Sequence, residues 1–412
     1  MKRAIVFVAG RDPQAELGAG HSAYVRAHAL AAQRAGFEPH LFCVGSSTGI
    51  DETEYGIVHR KRSPFRPFRA LMIPAHSPIL VPDVVAFLAS QPPPRVIHSF
   101  GVWGYVGVRA SEALARRGLP SIPILGSYTI HEAEVRSKVV SFSRDYPVWE
   151  RMRMRIELAV VRRVRGFERR AYRESRLVLY NYDSVRRLIE AAYGSEVPVR
   201  KIGYAAEAAF EESDSDPANE PGELSRLMPR GAPLVVSVSR HDPRKGIDVL
   251  LHALARLKGE GIPFRACLVG QGRLLELHRR LARELELEDS VAIPGLVESA
   301  YAYLERADVY CLPSRYEQSG ALALLEALQA GAAIVASGCD GIPEDVADGE
   351  DALLVPPGDV VRLATALRMV LTDPSLRERL GRGARETFSR RFSGDAFARD
   401  LAAIYAEFGM TA

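Results

Sequence analysis

The sequence predicts an α/β protein built from two doubly wound domains. Three observations carry that expectation. Short β-branched runs alternate with amphipathic stretches along most of the chain; the alternation stops at an acidic, Pro-rich segment and then restarts; and 412 residues exceed the roughly 250 to 300 at which a single core stops growing.

The first series opens with "AIVFVAG", a buried strand, followed by the glycine-rich loop "ELGAGHS" and the helical pattern "AYVRAHALAAQRAG", which closes on Gly36. "PHLFCVG" reads as the next strand. "RVIHSFG", the helix "VGVRASEALARRG", the strand "SIPILGS", a long helical region from Asp145 to Arg173, the strand "RLVLYN" and the helix "SVRRLIEAAYG" follow. Glu211 to Pro233 is acidic, Pro-rich and poor in apolar residues, so it cannot bury a core and is assigned to the interdomain connection. The second series runs through strand "LVVSVS", loop "RHDPRKG", helix "IDVLLHALARLKGEG", strand "FRACLVG", helix "RLLELHRRLARELEL", strand "SVAIPG", helix "AYAYLERA", strand "DVYCLPS", a helix from about Gly320 to Gln329, and strands "AAIVASG" and "DALLVPPGD". The expected division is 1–210 for the first domain, 211–232 for the linker and 233–392 for the second domain, with the helix in 393–412 returning to the first. The two domains are expected to face each other across a cleft, ligands lying beyond the carboxyl ends of the strands.

Composition sets limits. A hydrophobic fraction of 47% with 25% charged residues is that of an ordinary globular protein, and a net charge of +3 is too small to mark a nucleic-acid binder. Cys43, Cys267, Cys311 and Cys339 lie far apart without a CxxC pair, against a zinc site or a disulfide framework and for a reducing, cytoplasmic setting. The opening apolar run ends at Ala9, too short for a signal peptide, and Pro82 and Asp83 interrupt the best early membrane candidate, so no span is expected.

Within "SRHDPRKG", Arg240 and Lys245 flank a helix start whose N–H groups and dipole favour an anion; Arg grips two phosphate oxygens at once and Lys adds a compact charge, a combination suited to a diphosphate. The same loop also reads as a solvated turn. Gly18, Gly20 and His21 form a loop that can approach phosphate or sugar closely, but it lacks the GxGxxG spacing of dinucleotide enzymes. In "SRYEQSGALALLEALQAG", Glu326 shares a helix face with Leu322, Ala323, Gln329 and Ala330, where a carboxylate is costly unless hydrogen-bonded; ribose hydroxyls would serve. Glu317 precedes that helix, beside a turn containing Ser319 and Gly320. Read in isolation, both acids are also consistent with surface charge.

The blocks "SRHDPRKGIDVLLHAL", "CLVGQGRLLELHRRLARELELEDSVAIPGLV", "ADVYCLPSRYEQSGALALLEALQAGAAIVASGCDGIPEDVADGEDALLVPPGD" and "FSGDAFARDLAAIYAEF" resemble those of the retaining GT-B glycosyltransferases of family 4. The likeness is strong from about Leu234 onward and looser before it. It implies the GT-B fold, two Rossmann-like domains, and transfer of a hexose-type sugar from a nucleotide diphosphate sugar, of UDP or GDP type, to a hydroxyl acceptor with retained anomeric configuration and without metal.

The resemblance also implies roles. Arg240 and Lys245 match the pair that neutralises the departing diphosphate, and Glu326 matches the second acid of the E-x7-E motif, on the ribose. The first acid should stand at position 318, which is Gln318; either Glu317, one residue further out, replaces it, or the amide does. The donor site would run through Glu317, Gln318, Ser319, Gly320, Ala321, Leu322 and Glu326, with Gly320 and Ala321 replacing the family's usual Phe-Gly pair. Gly20 matches the glycine near the diphosphate, and His131 in "GSYTIHEAE" resembles the histidine near the reacting sugar. The acceptor would attack from the leaving group's face, assisted by the phosphate, so no dedicated base is implied. "DSD", Asp214 to Asp216, imitates a metal-binding motif of another fold, but its place in the linker marks it as a decoy.

The acceptor, a saccharide, small molecule or lipid-linked chain, is not specified. Arg144 to Arg176 holds eleven Arg against five acids, a basic stretch suited either to peripheral contact with the inner membrane face or to a solvated helix. A sugar-nucleotide epimerase of the same architecture is the alternative reading, and a non-catalytic sugar binder is disfavoured by the Arg240–Lys245 pair.

Overall fold

The computed structural model describes residues 2–10, 12–14, 20–63, 73–140, 148–210, 222–317 and 319–412. By its internal contacts the chain divides into two compact units, Met1–Phe210 with Ser393–Ala412, and Glu211–Phe392.

Unit 1 holds strands β1 (Ala4–Val8), β2 (Glu38–Gly45), β3 (Gly49–Thr53), β4 (Gly56–Arg62), β5 (Val96–Phe100), β6 (Ile122–Ser127), β7 (Leu177–Tyr180) and β8 (Val199–Lys201), in the order β3-β4-β2-β1-β5-β6-β7-β8. Among the described residues each strand pairing is parallel except β3 with β4. Every residue of β5 and β7 is buried, as central strands covered on both faces must be. The helices are α1 (Gly20–Arg34), α2 (Ile73–Ala89), α3 (Gly104–Ala115), α4 (His131–Val140), α5 (Val148–Glu174) and α6 (Asp183–Tyr193).

Three features differ from the sequence expectation. The antiparallel β3–β4 hairpin has no counterpart in it. Pro78 and Pro82 lie inside α2, which nonetheless buries Leu80, Val84, Val85 and Leu88; packing there outweighs the helix-breaking tendency of proline. The helical region expected from Asp145 is seen as α5 from Val148, preceded by α4, with 141–147 outside the described residues. No helix among the described residues is long and apolar enough to cross a membrane.

Unit 2 begins with the short helix α7 (Gly222–Ser225). Its sheet comprises β9 (Leu234–Val238), β10 (Arg265–Val269), β11 (Val291–Gly295), β12 (Val309–Leu312), β13 (Ala333–Ser337) and β14 (Ala352–Val355), in the order β11-β10-β9-β12-β13-β14, with parallel pairings. Between and after them run α8 (Ile247–Gly259), α9 (Leu275–Glu284), α10 (Tyr301–Leu304), α11 (Leu322–Ala330), α12 (Ile342–Asp345), α13 (Val360–Thr372) and α14 (Pro374–Thr387). Its core packs Val235, Leu250, Leu254, Leu268, Val335 and Leu367 between sheet and helices. The chain passes from β9 outward to β10 and β11, then returns to β12 on the other flank of β9. That reversal is a topological switch point, and the loops leaving β9 and β12 meet there.

The last helix, α15 (Gly394–Ala406), belongs to unit 1. Ser393 caps it by accepting from the N–H of Ala396, and it buries Phe397, Leu401 and Tyr405. Phe397 meets the His28 ring of α1 edge-on at 4.8 Å, and the Tyr405 hydroxyl lies 2.8 Å from His98 Nδ1 on β5.

Candidate active site

The loop after β9 is built to bring Lys245 to the switch point. Asp242 accepts from the Arg244 N–H at 3.0 Å and caps the 3-10 turn Pro243–Lys245. Burial works to raise the Asp242 pKa, but Arg244, helped by Arg240 and Lys245, outweighs it and holds the carboxyl below its ordinary value. Gly246 then takes a left-handed conformation, φ 63°, before α8 starts. A Cβ there would lie 2.1 Å from the Pro313 carbonyl oxygen, so only glycine allows the two loops to approach this closely.

Arg315 fastens the junction. Its N–H donates to the Arg244 carbonyl at 2.6 Å, and its guanidinium donates to both Asp248 oxygens at 2.7 Å. Lys245 Nζ then reaches across to Glu317, 2.7 Å from Oε1 and 2.6 Å from Oε2, and Ser314 Oγ donates to Oε1. The Glu317 N–H donates to Asp340 Oδ2 at 2.7 Å. Arg240 stands at the rim, 62% exposed, with Asp242 3.3 Å away.

Beyond this pair, Ser319 and Gly320 lead into α11. Ala321, extended at φ −115° and ψ 124°, is its N-cap and has no polar side chain to cap it. The helix therefore starts at Leu322, slightly later than expected. Glu326 lies on α11, half-buried. Tyr310 of β12 is buried, and its hydroxyl has no hydrogen-bond partner among the described residues; burial, followed by Glu317 and Glu326, raises its pKa well above the usual tyrosine value. The structure thus gathers Arg240, Lys245, Glu317, Ser319, Gly320, Ala321, Leu322 and Glu326 in one unit, around the ends of β9 and β12. Gln318 and the Asp214–Asp216 segment lie outside the described residues. Among the described residues, no group of three or more His, Cys, Asp or Glu is placed to hold a metal ion.

The profile of the family "Glycosyl transferases group 1" matches residues 225–387. A lipopolysaccharide core biosynthesis glycosyltransferase, LpsD, of Rhizobium meliloti (strain 1021) is 32% identical over 234 residues, 55% of this chain and 67% of its own. The chain belongs to the group 1 glycosyltransferases. Alpha-D-kanosaminyltransferase of Streptomyces kanamyceticus is 28% identical over 248 residues, 59% of this chain and 63% of its own. The chain thus spans about two thirds of the length of these curated relatives. In fold, it is similar to sucrose-phosphate synthase from Thermosynechococcus elongatus, with a TM-score of 0.74, 23% identity and 99% of each chain covered. The architecture is GT-B, two Rossmann-like units with parallel-dominated sheets: the alternating pattern predicts the two doubly wound units, and the family resemblance implies GT-B.

The two remaining predicted residues lie in unit 1. Gly20 is the first residue of α1. His131 opens α4, where its N–H donates at 2.7 Å to Oε1 of Glu168, a carboxylate 1% exposed on α5. Burial raises the Glu168 pKa despite that hydrogen bond and the nearby His131. Sequence reasoning missed Glu168, Arg244, Ser314, Arg315 and Asp340, which position the named residues; the only local signal was that Arg244 and Arg315 share short loops with Lys245 and Glu317.

Proposed function

We propose that the protein transfers a hexose-type sugar from a nucleotide diphosphate sugar, of UDP or GDP type, to a hydroxyl acceptor, retaining the anomeric configuration and needing no metal. The observation that carries this reading is the placement of Arg240 and Lys245 at the switch point between β9 and β12, where a parallel sheet receives its ligand. Negative charge grows on the diphosphate as the sugar–oxygen bond breaks, and cations fixed before that moment stabilise it without reorganisation. Glu326 would accept the ribose hydroxyls, and the start of α11 would present N–H groups to the donor. The acceptor then attacks from the departing phosphate's face, its proton passing to that phosphate. His131 would face the reacting sugar, and Gly20 would let backbone approach the phosphates.

The test is to incubate the protein with UDP- and GDP-hexoses, with and without saccharide and lipid-linked acceptors and in the presence of EDTA, while measuring released nucleotide and the anomeric configuration of the product by NMR. Acceptor-dependent release that survives EDTA, with retained configuration, is expected; an inverted product, or no release from any donor, defeats the reading. Met152 and Ile156, 59% and 56% exposed on α5 beside exposed Arg155, support peripheral contact with an anionic membrane carrying a lipid-linked acceptor. Failure to co-sediment with phosphatidylglycerol vesicles at low salt would remove that contact. Among the described residues Cys43, Cys267, Cys311 and Cys339 form no disulfide, in keeping with a reducing, cytoplasmic setting.

A further inference from the structure

The first acid of the donor segment has a different environment from the one its sequence position suggests. The Glu317 side chain is 4% exposed, and that of Lys245 is 15% exposed. Both carboxylate oxygens accept from Lys245 Nζ, and Oε1 accepts again from Ser314, itself fully buried. A carboxylate offers about four lone-pair positions, so three are already taken and almost none of the group faces solvent. A sugar hydroxyl would have one lone-pair position left and almost no open surface from which to reach it, unless it displaced Lys245 or Ser314. Glu317 also stands one position further from Glu326 than the E-x7-E spacing places its first acid.

Lys245, in contrast, is arranged to present a charge. Gly246 and Arg315 lock its loop against the end of β12, and the Glu317 backbone is anchored in turn by Asp340, a non-glycine residue in the left-handed region at φ 49°. A lysine ammonium has three protons, and Glu317 takes two of them. One remains for a ligand, on an amine whose long flexible stem has been ordered before the ligand arrives.

We propose that Glu317 is a positioning residue for Lys245, aiming its ammonium at the donor's diphosphate, and is not a ligand of the donor sugar's hydroxyls. This rests on the proposed donor site. It makes a distinguishing demand: loss of Glu317 must weaken a nucleoside diphosphate that carries no sugar at all.

The experiment measures, by calorimetry on the full chain, the affinities of UDP, GDP and the matching hexose donors for wild type, Lys245→Ala, Glu317→Ala, Glu317→Gln and the double alanine variant, with turnover in parallel. Positioning predicts that Glu317→Ala weakens the bare diphosphate about tenfold or more, by a factor similar to that for the sugar nucleotide. The double variant should then be no weaker than Lys245→Ala alone, because the two residues act as one unit. Glu317→Gln, which keeps an oxygen acceptor for the ammonium, should recover much of the loss, and it serves as the reading if the alanine variant does not fold by circular dichroism. Unchanged diphosphate affinity with weakened sugar-nucleotide binding, or losses that multiply in the double variant, would overturn the positioning role while leaving the donor site standing. If Lys245→Ala itself leaves diphosphate affinity and turnover unaltered, the donor-site reading fails, and the positioning role with it.

Discussion

Replacing Gly246 with alanine changes no charge, yet should disable the site. Gly246 has φ 63°, a conformation costing an L-residue about 1 kcal/mol. Its new Cβ would fall 2.1 Å from the Pro313 carbonyl oxygen, against about 3.3 Å for a close carbon–oxygen contact, so the two loops must separate by about 1 Å. That separation pulls on the Arg315 N–H bond to Arg244 and on the Lys245–Glu317 pair. Loosening one such bond adds about 1 to 2 kcal/mol, giving about 2 to 3 kcal/mol of lost stability in unit 2. A displacement of about 1 Å at a charge-stabilising group lowers turnover about 100-fold, or about 2.7 kcal/mol of barrier. Urea unfolding followed by circular dichroism reads the first quantity, and nucleotide release from the donor reads the second. An alanine variant with an unchanged midpoint and full turnover would refute the claim that this close approach sets Lys245.

Three further outcomes are expected. Glu326→Ala should weaken nucleoside diphosphate binding about 10- to 100-fold, the worth of a hydrogen bond to a charged acceptor, and calorimetry giving wild-type affinity would remove its ribose role. Tyr405→Phe takes the hydroxyl from buried His98 Nδ1 and should cost unit 1 about 1 to 3 kcal/mol in denaturant unfolding; no loss would mean that contact is energetically idle. His241 and His278 lie with Nδ1 atoms 2.9 Å apart, and burial, with His278 adding to it at His241, pushes both from 6.5 down to about 4. Below about 6.5 the unfolded chain takes up protons that the folded one refuses until about 4, so this stability is complete above that range and declines as the pH falls through it. Urea midpoints measured between pH 7 and pH 5 should therefore decrease, less steeply in His278→Gln; equal slopes in the two proteins would count against the pair.

The two alternating series were legible because central parallel strands are continuous apolar runs; "VIHSF" and "AIVAS" are buried at every position. Arg240 and Lys245 drew attention because two cations flank a helix start, a pattern that a solvated turn produces as well. The β3–β4 hairpin was hidden by its polar outer strand, "GIDET", of which Ile50, Asp51 and Glu52 are exposed and give no apolar alternation. Helix α2 was hidden by its prolines, whose cost is recovered only through burial against α3. The environment of Glu317 was not readable at all: its partner Lys245 lies 72 residues away, and only the return of the chain from β11 to β12 joins them. The same holds for His241 and His278, 37 residues apart, which pattern alone leaves as two unrelated ring side chains.

Unit 1 is assembled from both ends of the chain, with unit 2 inserted between Phe210 and Ser393. On the ribosome, the faces of His28, Phe37 and His98 that receive Phe397 and Tyr405 must wait until the segment beyond Ser393 has been made. The inserted unit, Glu211–Phe392, is continuous in sequence and can close first. The order of synthesis therefore leaves unit 1 the last to be completed, and a released chain cut short before residue 393 would carry a continuous Glu211–Phe392 unit and a unit 1 with an open apolar flank.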